Sequence, residues 1–286
     1  MKKSILIFAL TGFLAACSSA PKDESEESAA MADASHDAWE SAPASSSKST
    51  SGSSRVETAP SLSSNPYADL NAAIKSQSEE RIRAVAHQIL RQVKDDPKAL
   101  NALGMSAYRS GKLDLAAYFL GKAQQKAPSE GEIASNLGLV ELARGEKTAA
   151  IKSFRRALEL RSEDGLAAAN LGALYVEAKD YSKAATVLAM SYRQGVRDAK
   201  NLNNYGIALA ATGQHDKALS IYDEALRQSS SNRDVLYNKA ILLIENMGRM
   251  QDGLDLVNRV KFMGSPSESR DKLSHLENKA KAGLNK

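Results

Sequence analysis

Apolar and small residues recur along this chain with a period of 34 positions. Leu103-Gly104, Leu137-Gly138, Leu171-Gly172 and Tyr205-Gly206 mark successive periods. A period of this length is typical of helical hairpins, which stack because a single hairpin cannot bury its apolar face alone. The pattern therefore predicts paired helices throughout residues 97–264.

The pattern also predicts how each hairpin closes. Small residues follow each glycine at 12 and 19 positions, where they let two helices approach closely, and a larger apolar residue stands between them. The larger residues are Leu120, Phe154, Leu188 and Tyr222. Seven positions after the first glycine, Gly111, Gly145 and Gly213 favour a left-handed helix end and a turn.

Together these residues resemble the tetratricopeptide repeat. Leu103-Gly104, Gly111, Ala116, Ala123 and Pro128 reproduce its pattern. Four copies span residues 97–230, and residues 233–264 form a looser fifth copy with one extra residue before its glycine. The resemblance implies an all-α, right-handed superhelical solenoid of five or six hairpins with a C-terminal capping helix.

The copies depart from the family pattern at identifiable places. Glu141 replaces a core aromatic, which Tyr175 supplies in the third copy, and Lys239 replaces the leucine in the fifth. Copies two to four also lack the closing proline of the family pattern and have Ser162, Val196 and Ser230 in its place.

Both ends of the array carry additional helical patterns. Residues 67–96 predict a degenerate starting hairpin, because apolar residues from Ile82 to Val93 recur at helical spacing. Residues 265–286 predict a capping helix and tail: Ser265-Pro266-Ser267-Glu268 reads as a capping box, and Leu273, Leu276 and Ala280 form an apolar face.

The N-terminal residues indicate a targeting signal. Lys2 and Lys3 precede an apolar run that is too short to span a bilayer, so residues 1–16 predict a cleaved signal peptide. Leu14-Ala15-Ala16-Cys17 resembles the lipobox of bacterial lipoproteins, which implies acylation of Cys17. Because Ser18 follows, the resemblance implies an outer-membrane lipid anchor on the periplasmic face.

Residues 17–66 predict a lipidated cysteine followed by a disordered tether. Residues 18–66 contain 16 serines and few large apolar side chains, so they cannot repay the entropy of folding. The tether contains the only tryptophan, Trp39, which is either a docking element or a chance hydrophobe. Residues 18–66 carry a net charge of −5 and residues 67–286 one of +7; the basic domain either favours an acidic partner or has a solvated, mixed-charge surface.

The sequence lacks the patterns of common catalytic and cofactor sites. His36, His87, His215 and His275 have no metal-ligand spacing, and there is no phosphate-binding loop or nucleophile elbow. Acidic pairs such as Asp95-Asp96 and Glu163-Asp164 fall at hairpin boundaries, where helix starts favour carboxylates. We therefore expect no catalytic residues, metal, cofactor, small-molecule substrate or nucleic-acid partner.

The candidate binding residues lie on one face of the first helix of each hairpin. An asparagine ladder recurs every 34 residues: Asn136, Asn170, Asn204 and Asn238. On the same face lie apolar residues: Met105, Tyr108, Leu139, Leu142, Val176, Ile207, Ile241 and Ile244. Side-chain amides both donate to and accept from a peptide backbone, and the apolar residues would contact the partner's side chains. Two alternatives remain: the asparagines serve the fold, and the apolar residues are buried between neighbouring hairpins.

The resemblance implies a membrane-anchored scaffold that binds an apolar or extended peptide segment. Its expected role is assembly or targeting of a cell-envelope machine: a type IV or tight-adherence pilus, a secretin or a gliding-motility apparatus. The alternative is a regulatory adaptor that tethers and activates a cell-wall synthase or hydrolase.

Overall fold

The structure, a computed structural model, describes residues 65–264 and 267–285. These residues form thirteen α-helices and contain no strand. The predicted signal peptide, Cys17, the tether with Trp39, and the Ser265-Pro266 half of the capping box lie outside the described residues. None of the described helices combines the length and hydropathy needed to cross a membrane.

The helices form six antiparallel hairpins and one final helix, which confirms the predicted stack of hairpins. The first three hairpins are α1 (Pro66–Lys75) with α2 (Glu79–Gln92), α3 (Pro97–Arg109) with α4 (Leu113–Lys126), and α5 (Gly131–Ala143) with α6 (Lys147–Leu160). The next two are α7 (Gly165–Glu177) with α8 (Tyr181–Arg193), and α9 (Ala199–Ala211) with α10 (His215–Gln228). The sixth is α11 (Arg233–Ile241) with α12 (Met250–Phe262), and α13 (Ser267–Leu284) follows.

In the four hairpins from α3 to α10, the interior is built from a glycine on the first helix and a large side chain on the second. A Cβ atom added to Gly104 would lie 2.6 Å from Leu120 Cγ, and one added to Gly138 would lie 2.8 Å from the Phe154 ring. Leu120 and Phe154 are fully buried. The 34-residue recurrence of glycine thus reflects a steric requirement, because only a bare backbone lets the second helix approach this closely.

The turns within the hairpins use left-handed residues, as the glycines at this position predicted. Gly111, Gly145 and Gly213 have φ of 74°, 81° and 78°. In the fourth hairpin Lys179 takes the same place with φ of 60°. A left-handed conformation is less favourable for a residue with a side chain, so this turn is the most strained of the four.

The extra residue of the fifth copy is absorbed as a π-helical turn, Leu242–Asn246, directly after α11. Its i→i+5 bond runs from the Met247 amide to the Leu242 carbonyl, 3.1 Å. Leu242, Leu243 and Ile244 all remain buried. A π turn is the usual way for a helix to accommodate one inserted residue without losing its buried face.

Several acidic residues at hairpin boundaries cap helices. Asp96 Oδ1 accepts the Ala99 amide at 2.8 Å, and Asp164 Oδ1 accepts the Ala167 amide at 2.9 Å. Such caps satisfy backbone donors that a helix start leaves unpaired. This confirms the structural interpretation of both acidic pairs.

The C-terminal helix α13 closes the stack. Leu273, Leu276 and Ala280 are buried with Leu254 and Val257 of α12 in one hydrophobic cluster. The last hairpin therefore does not expose the apolar side that an internal hairpin would present to its neighbour.

We call the surface formed by the first helices α1, α3, α5, α7, α9 and α11 the inner face, and that formed by α2, α4, α6, α8, α10 and α12 the outer face. Successive first helices α3 and α5, α7 and α9, and α9 and α11 pack against each other. The helices α5 and α7 approach each other less closely. The inner face therefore varies along the stack, and it carries all the candidate binding residues except Ile244, which lies in the π turn after α11.

Candidate peptide-binding surface

The asparagine ladder divides into two kinds of residue. Asn136 Nδ2 donates to Asn101 Oδ1 at 2.9 Å, and Asn238 Nδ2 donates to Asn203 Oδ1 at 3.0 Å. Each bond joins one first helix to the preceding one. Asn136 and Asn238 thus join neighbouring hairpins. For these two residues, the alternative that the asparagines serve the fold holds.

Asn170 and Asn204 make no such bridge. Asn170 Nδ2 donates to the Leu166 carbonyl of its own helix at 3.0 Å, and Asn204 makes no side-chain hydrogen bond within 65–264 and 267–285. Each bridging asparagine has another asparagine 35 residues earlier in the sequence, which is its partner. At that distance before Asn170 and Asn204 the sequence has Ser135 and Ala169 instead. Their amide groups are half-buried and keep capacity to bind a peptide backbone.

The predicted apolar positions of the first two good copies remain accessible. Met105 and Tyr108 on α3, and Leu139 and Leu142 on α5, are half-buried and pack against the edges of core clusters. A partner that covers one such large side chain completely would gain about 1.5–3 kcal/mol, less in proportion to its present burial. These four residues therefore fit the predicted apolar contact surface.

The same positions in the later copies are closed, so the prediction of an open groove there is wrong. Val176, Ile207, Ile241 and Ile244 are 3%, 3%, 8% and 2% exposed. Val176 and Ile207 share one core cluster, and Ile241 and Ile244 belong to the cluster that α13 completes. For these four residues the alternative of burial between neighbouring hairpins holds, and Asn238 beside them is also buried, at 8% exposed.

The closure has a different cause at each place: α7 and α9 pack closely around Val176 and Ile207, whereas α13 completes the cluster around Ile241 and Ile244. Between α7 and α9 the two first helices pack closely, and Ala210 is buried in the same core cluster as Val176 and Ile207. The sequence pattern shows that all these positions are apolar or small. It does not show their burial, which depends on the residues of two neighbouring hairpins.

Two exposed apolar residues of the inner face were missed by the sequence analysis. Leu166 on α7 is 65% exposed and lies one turn before Asn170; Ile74 on α1 is 44% exposed. Leu166 lies four residues before a ladder asparagine, so helical spacing from the ladder would have found it. It places a large apolar side chain beside an amide that is not committed to a bridge.

A cavity of about 290 Å³ lies at the N-terminal end of the inner face, between α1, α3 and α5. Ile74, Lys98, Asn101 and Glu132 are among its lining residues. Asn101 Nδ2 donates to Glu132 Oε1 at 3.1 Å, so the bridging asparagine also orients a carboxylate. The cavity thus offers apolar, cationic and anionic groups together, which suits a peptide rather than a uniformly charged ligand.

Tyr67 fixes α1 to the rest of this cavity. Its hydroxyl donates to Asp96 Oδ2 at 2.9 Å, and Lys98 Nζ lies 5.7 Å from its ring centroid. The hydrogen bond to the Asp96 carboxylate raises the pKa of Tyr67 above its ordinary value. Tyr67 is therefore a protonated, oriented donor, and the starting hairpin is a fixed wall of the cavity.

Among residues 65–264 and 267–285, no group of three histidine, cysteine, aspartate or glutamate side chains is arranged to hold a metal ion.

Comparison with known families agrees with this architecture. The model of the tetratricopeptide repeat matches residues 82–131, 135–199 and 203–267, which is more than half of the chain. The chain belongs to the tetratricopeptide repeat family. Tetratricopeptide repeat proteins generally bind other proteins, and this chain is a protein-interaction scaffold. No curated protein matches the sequence significantly.

Solved structures show the same fold at low sequence identity. YrrB, described as a tetratricopeptide repeat protein with an unusual peptide-binding site, is 20% identical with a TM-score of 0.60, over 69% of this chain and 97% of YrrB. MamA from AMB-1 is 21% identical with a TM-score of 0.52, over 60% of this chain and 94% of MamA. A tetratricopeptide repeat protein from Parabacteroides merdae ATCC 43184 is 16% identical with a TM-score of 0.51, over 77% of this chain and 90% of that protein.

Proposed function

We propose that this protein is a lipid-anchored scaffold that binds an extended peptide segment of a cell-envelope protein along the inner face of α3, α5, α7 and α9. The observation that carries the proposal is the pair of side-chain amides that form no bridge between helices, those of Asn170 and Asn204, beside accessible apolar side chains. A backbone hydrogen bond contributes about 0.5–1.5 kcal/mol net, so the amides orient the segment. Contacts with Leu139, Leu142 and Leu166 supply most of the affinity.

YrrB, which has the same fold, is described as having a peptide-binding site, and this supports a peptide as the ligand. The part of the face between α5 and α7 is favoured, because no asparagine bridge joins these two helices and they approach each other less closely than α7 and α9 do. The bound segment is extended and carries apolar side chains at intervals that match successive first helices.

Placement in the cell envelope rests on the sequence of the N-terminus. The apolar run followed by Leu14-Ala15-Ala16-Cys17 supports acylation of Cys17 and residence on the periplasmic face of the outer membrane. Several acyl chains on one residue give stable anchoring, which a single chain does not. In this setting the scaffold assembles or targets an envelope machine such as a pilus, a secretin or a gliding apparatus.

Photo-crosslinking in cells tests the binding surface. A benzophenone amino acid is placed at Leu166 on the inner face or, as a matched control, at Leu115 on α4, which is 42% exposed on the outer face. We expect a discrete adduct from position 166 only, and its loss when Asn170→Ala and Asn204→Ala are combined. Adducts of the same mass from both positions, or adducts unaffected by the double variant, would refute the inner-face site.

Metabolic labelling tests the anchor separately. The full chain should incorporate labelled palmitate and fractionate with outer membranes, whereas Cys17→Ser should do neither. Labelling that survives Cys17→Ser, or a chain that never reaches the membrane fraction, would refute the anchor without affecting the peptide surface. If deletion of this protein causes the loss of secretin or pilus multimers, that loss would then identify the envelope machine that it serves.

A further inference from the structure

A second cleft lies on the outer face, between α6 and α8 and above α7, with a volume of about 500 Å³. Leu158 of α6 and Val187 and Met190 of α8 line its sides, and Leu171 and Tyr175 of α7 lie beneath them. None of its lining residues is one of the candidate binding residues of the inner face. A concave, mostly apolar site of this size is typical of ligand recognition.

The exposed residues that line the cleft carry an uncompensated positive charge. Glu159 is held by Arg156 (Nη1 to Oε2, 3.4 Å), and Lys183 Nζ is held by Asp180 Oδ2 at 2.6 Å. Arg155 forms no ion pair or hydrogen bond with any described residue. An arginine without a partner at the edge of an apolar cleft favours a ligand that brings a carboxylate.

The residues beneath the cleft favour an aromatic ligand group. Tyr175 is half-buried and presents its ring, over which Lys183 Nζ lies 5.6 Å from the centroid. Met190 is a flexible thioether that adapts to the shape of a ring and makes favourable sulfur–aromatic contacts. One inserted aromatic side chain buries roughly 150–250 Å² and dominates the binding of a short peptide.

We propose that this outer cleft is a second docking site, which takes an acidic peptide segment that inserts one aromatic side chain between α6 and α8 and sets a carboxylate beside Arg155. The occupant is a peptide rather than a nucleic acid, because one unpaired arginine gives no continuous basic track for a phosphate backbone. The site is separate from the inner-face surface, so the two can be occupied together and would let one scaffold hold two polypeptides.

The probe is a fluorescein-labelled peptide of residues 33–42 of this chain, which holds a tryptophan between aspartate and glutamate, in Asp37-Ala38-Trp39-Glu40. Its binding is measured by anisotropy at physiological salt against the full chain carrying Trp39→Ser. That substitution prevents competition by the same sequence within the protein. A second peptide, with alanine in place of tryptophan, measures the contribution of the ring.

We expect saturable binding that Arg155→Glu weakens by about tenfold or more, as for the loss of a charge-assisted contact. Met190→Ala should weaken it about fivefold, and the alanine peptide should not bind measurably. Lys152→Glu is the matched control: it makes the same charge change on α6, at an exposed residue that does not line the cleft. It should change the affinity by less than about twofold.

Four outcomes would overturn the proposal. Equal weakening by Arg155→Glu and Lys152→Glu would show general charge attraction, and undetectable binding would remove the site. Loss of binding with Asn170→Ala and Asn204→Ala would place the peptide on the inner face instead. Concentration-dependent self-association that Arg155→Glu abolishes, seen by light scattering, would assign the cleft to a second copy of the chain. Circular dichroism of each variant verifies that the helices remain folded.

Discussion

The inner face differs between α3 and α5, near one end of the stack, and α9 and α11, near the other. Leu139 and Leu142 of α5 are half-buried, whereas Ile207 of α9 and Ile241 of α11 are at most 8% exposed. Both sets occupy repeating positions of the same family pattern. The difference shows that a repeat pattern fixes where a side chain points, while the neighbouring hairpin decides whether solvent or a partner can reach it.

The same contrast holds for the asparagines. Asn238 is tied to Asn203 across two hairpins, whereas Asn204, one hairpin earlier, has no bridge. The scaffold therefore combines regions that hold the stack together with a central region that retains unused hydrogen-bonding groups. We expect the first kind to control stability and the second to control binding.

The strongest test of this comparison is Ile207→Glu against Leu139→Glu. A buried unpaired carboxylate at position 207 should lower the free energy of unfolding by about 3–5 kcal/mol or prevent folding, while position 139 should lose about 1 kcal/mol. Urea unfolding followed by circular dichroism measures both. Leu139→Glu should also abolish capture of the partner by the folded protein, and equal destabilisation by the two variants would contradict the comparison.

Gly138→Ala and Gly206→Ala test whether the two ends differ in their hairpin interiors. An added Cβ would press on the Phe154 and Tyr222 rings respectively, so we expect each variant to lose about 2 kcal/mol. Similar losses would place the difference between the ends on the inner face alone. Thermal unfolding of both variants measures these losses of stability. A large difference between the two losses would show that the hairpin interiors also differ.

Asn238→Ala and Asn204→Ala separate bridging from binding. Loss of the Asn203 bridge should cost about 1 kcal/mol, and loss of the unbridged amide less than about 0.5 kcal/mol. The order should reverse for peptide binding, which Asn204→Ala weakens and Asn238→Ala leaves unchanged. Unfolding free energies and affinities of the two purified variants check both halves, and a stability cost at Asn204 equal to that at Asn238 would be inconsistent with the structure.

Replacing Glu141 has the smallest expected effect on stability. It compares the same repeat position in α5 and α9. It occupies in α5 the place that the buried Leu209 holds in α9; its Oε2 atom is buried without a partner, and burial raises its pKa. Because the group is partly solvated, Glu141→Leu should stabilise the protein by no more than about 1 kcal/mol at pH 7.

The pH dependence of that effect has a defined sign. Since the pKa of Glu141 is higher in the folded state, its favourable contribution is complete below the unfolded pKa and is lost as pH rises through the folded pKa. The advantage of the leucine variant should therefore be smallest near pH 4 and grow towards pH 7. Denaturant titrations of both proteins at several pH values test this, and an advantage independent of pH would show that desolvation of the carboxylate is not its cause.

Much of the architecture was predictable because it depends on local and strictly repeated chemistry. The glycine at 104 or 138, the large residue sixteen positions later and the left-handed turn glycine all act within one hairpin. Asp96 and Asp164 were correctly interpreted as helix-boundary residues for the same reason. The apolar face of α13 was predicted from helical spacing alone. Val93 was the exception: it is 49% exposed because α2 ends at Gln92 and the backbone turns extended.

The candidate site was predicted only in part. The asparagine ladder was found by its period, but its division into bridged and unbridged members depends on pairs 35 residues apart, such as Asn101 with Asn136. Leu166 was missed because its position in the other copies is charged, with lysine, glutamate, lysine and aspartate. A search for departures from the repeat, as well as for matches to it, would have found both features.

The sequence by itself determined that this chain forms stacked helical hairpins with closely packed interiors, because those contacts involve residues at fixed separations within one copy. Only the tertiary structure decided which parts of the inner face stay open. That outcome depends on what packs against each first helix: α7 and α9 bury Val176 and Ile207 between them, and α13 completes the cluster that buries Ile241 and Ile244. Burial is a property of two neighbouring surfaces together, and a pattern along one of them specifies only half of it.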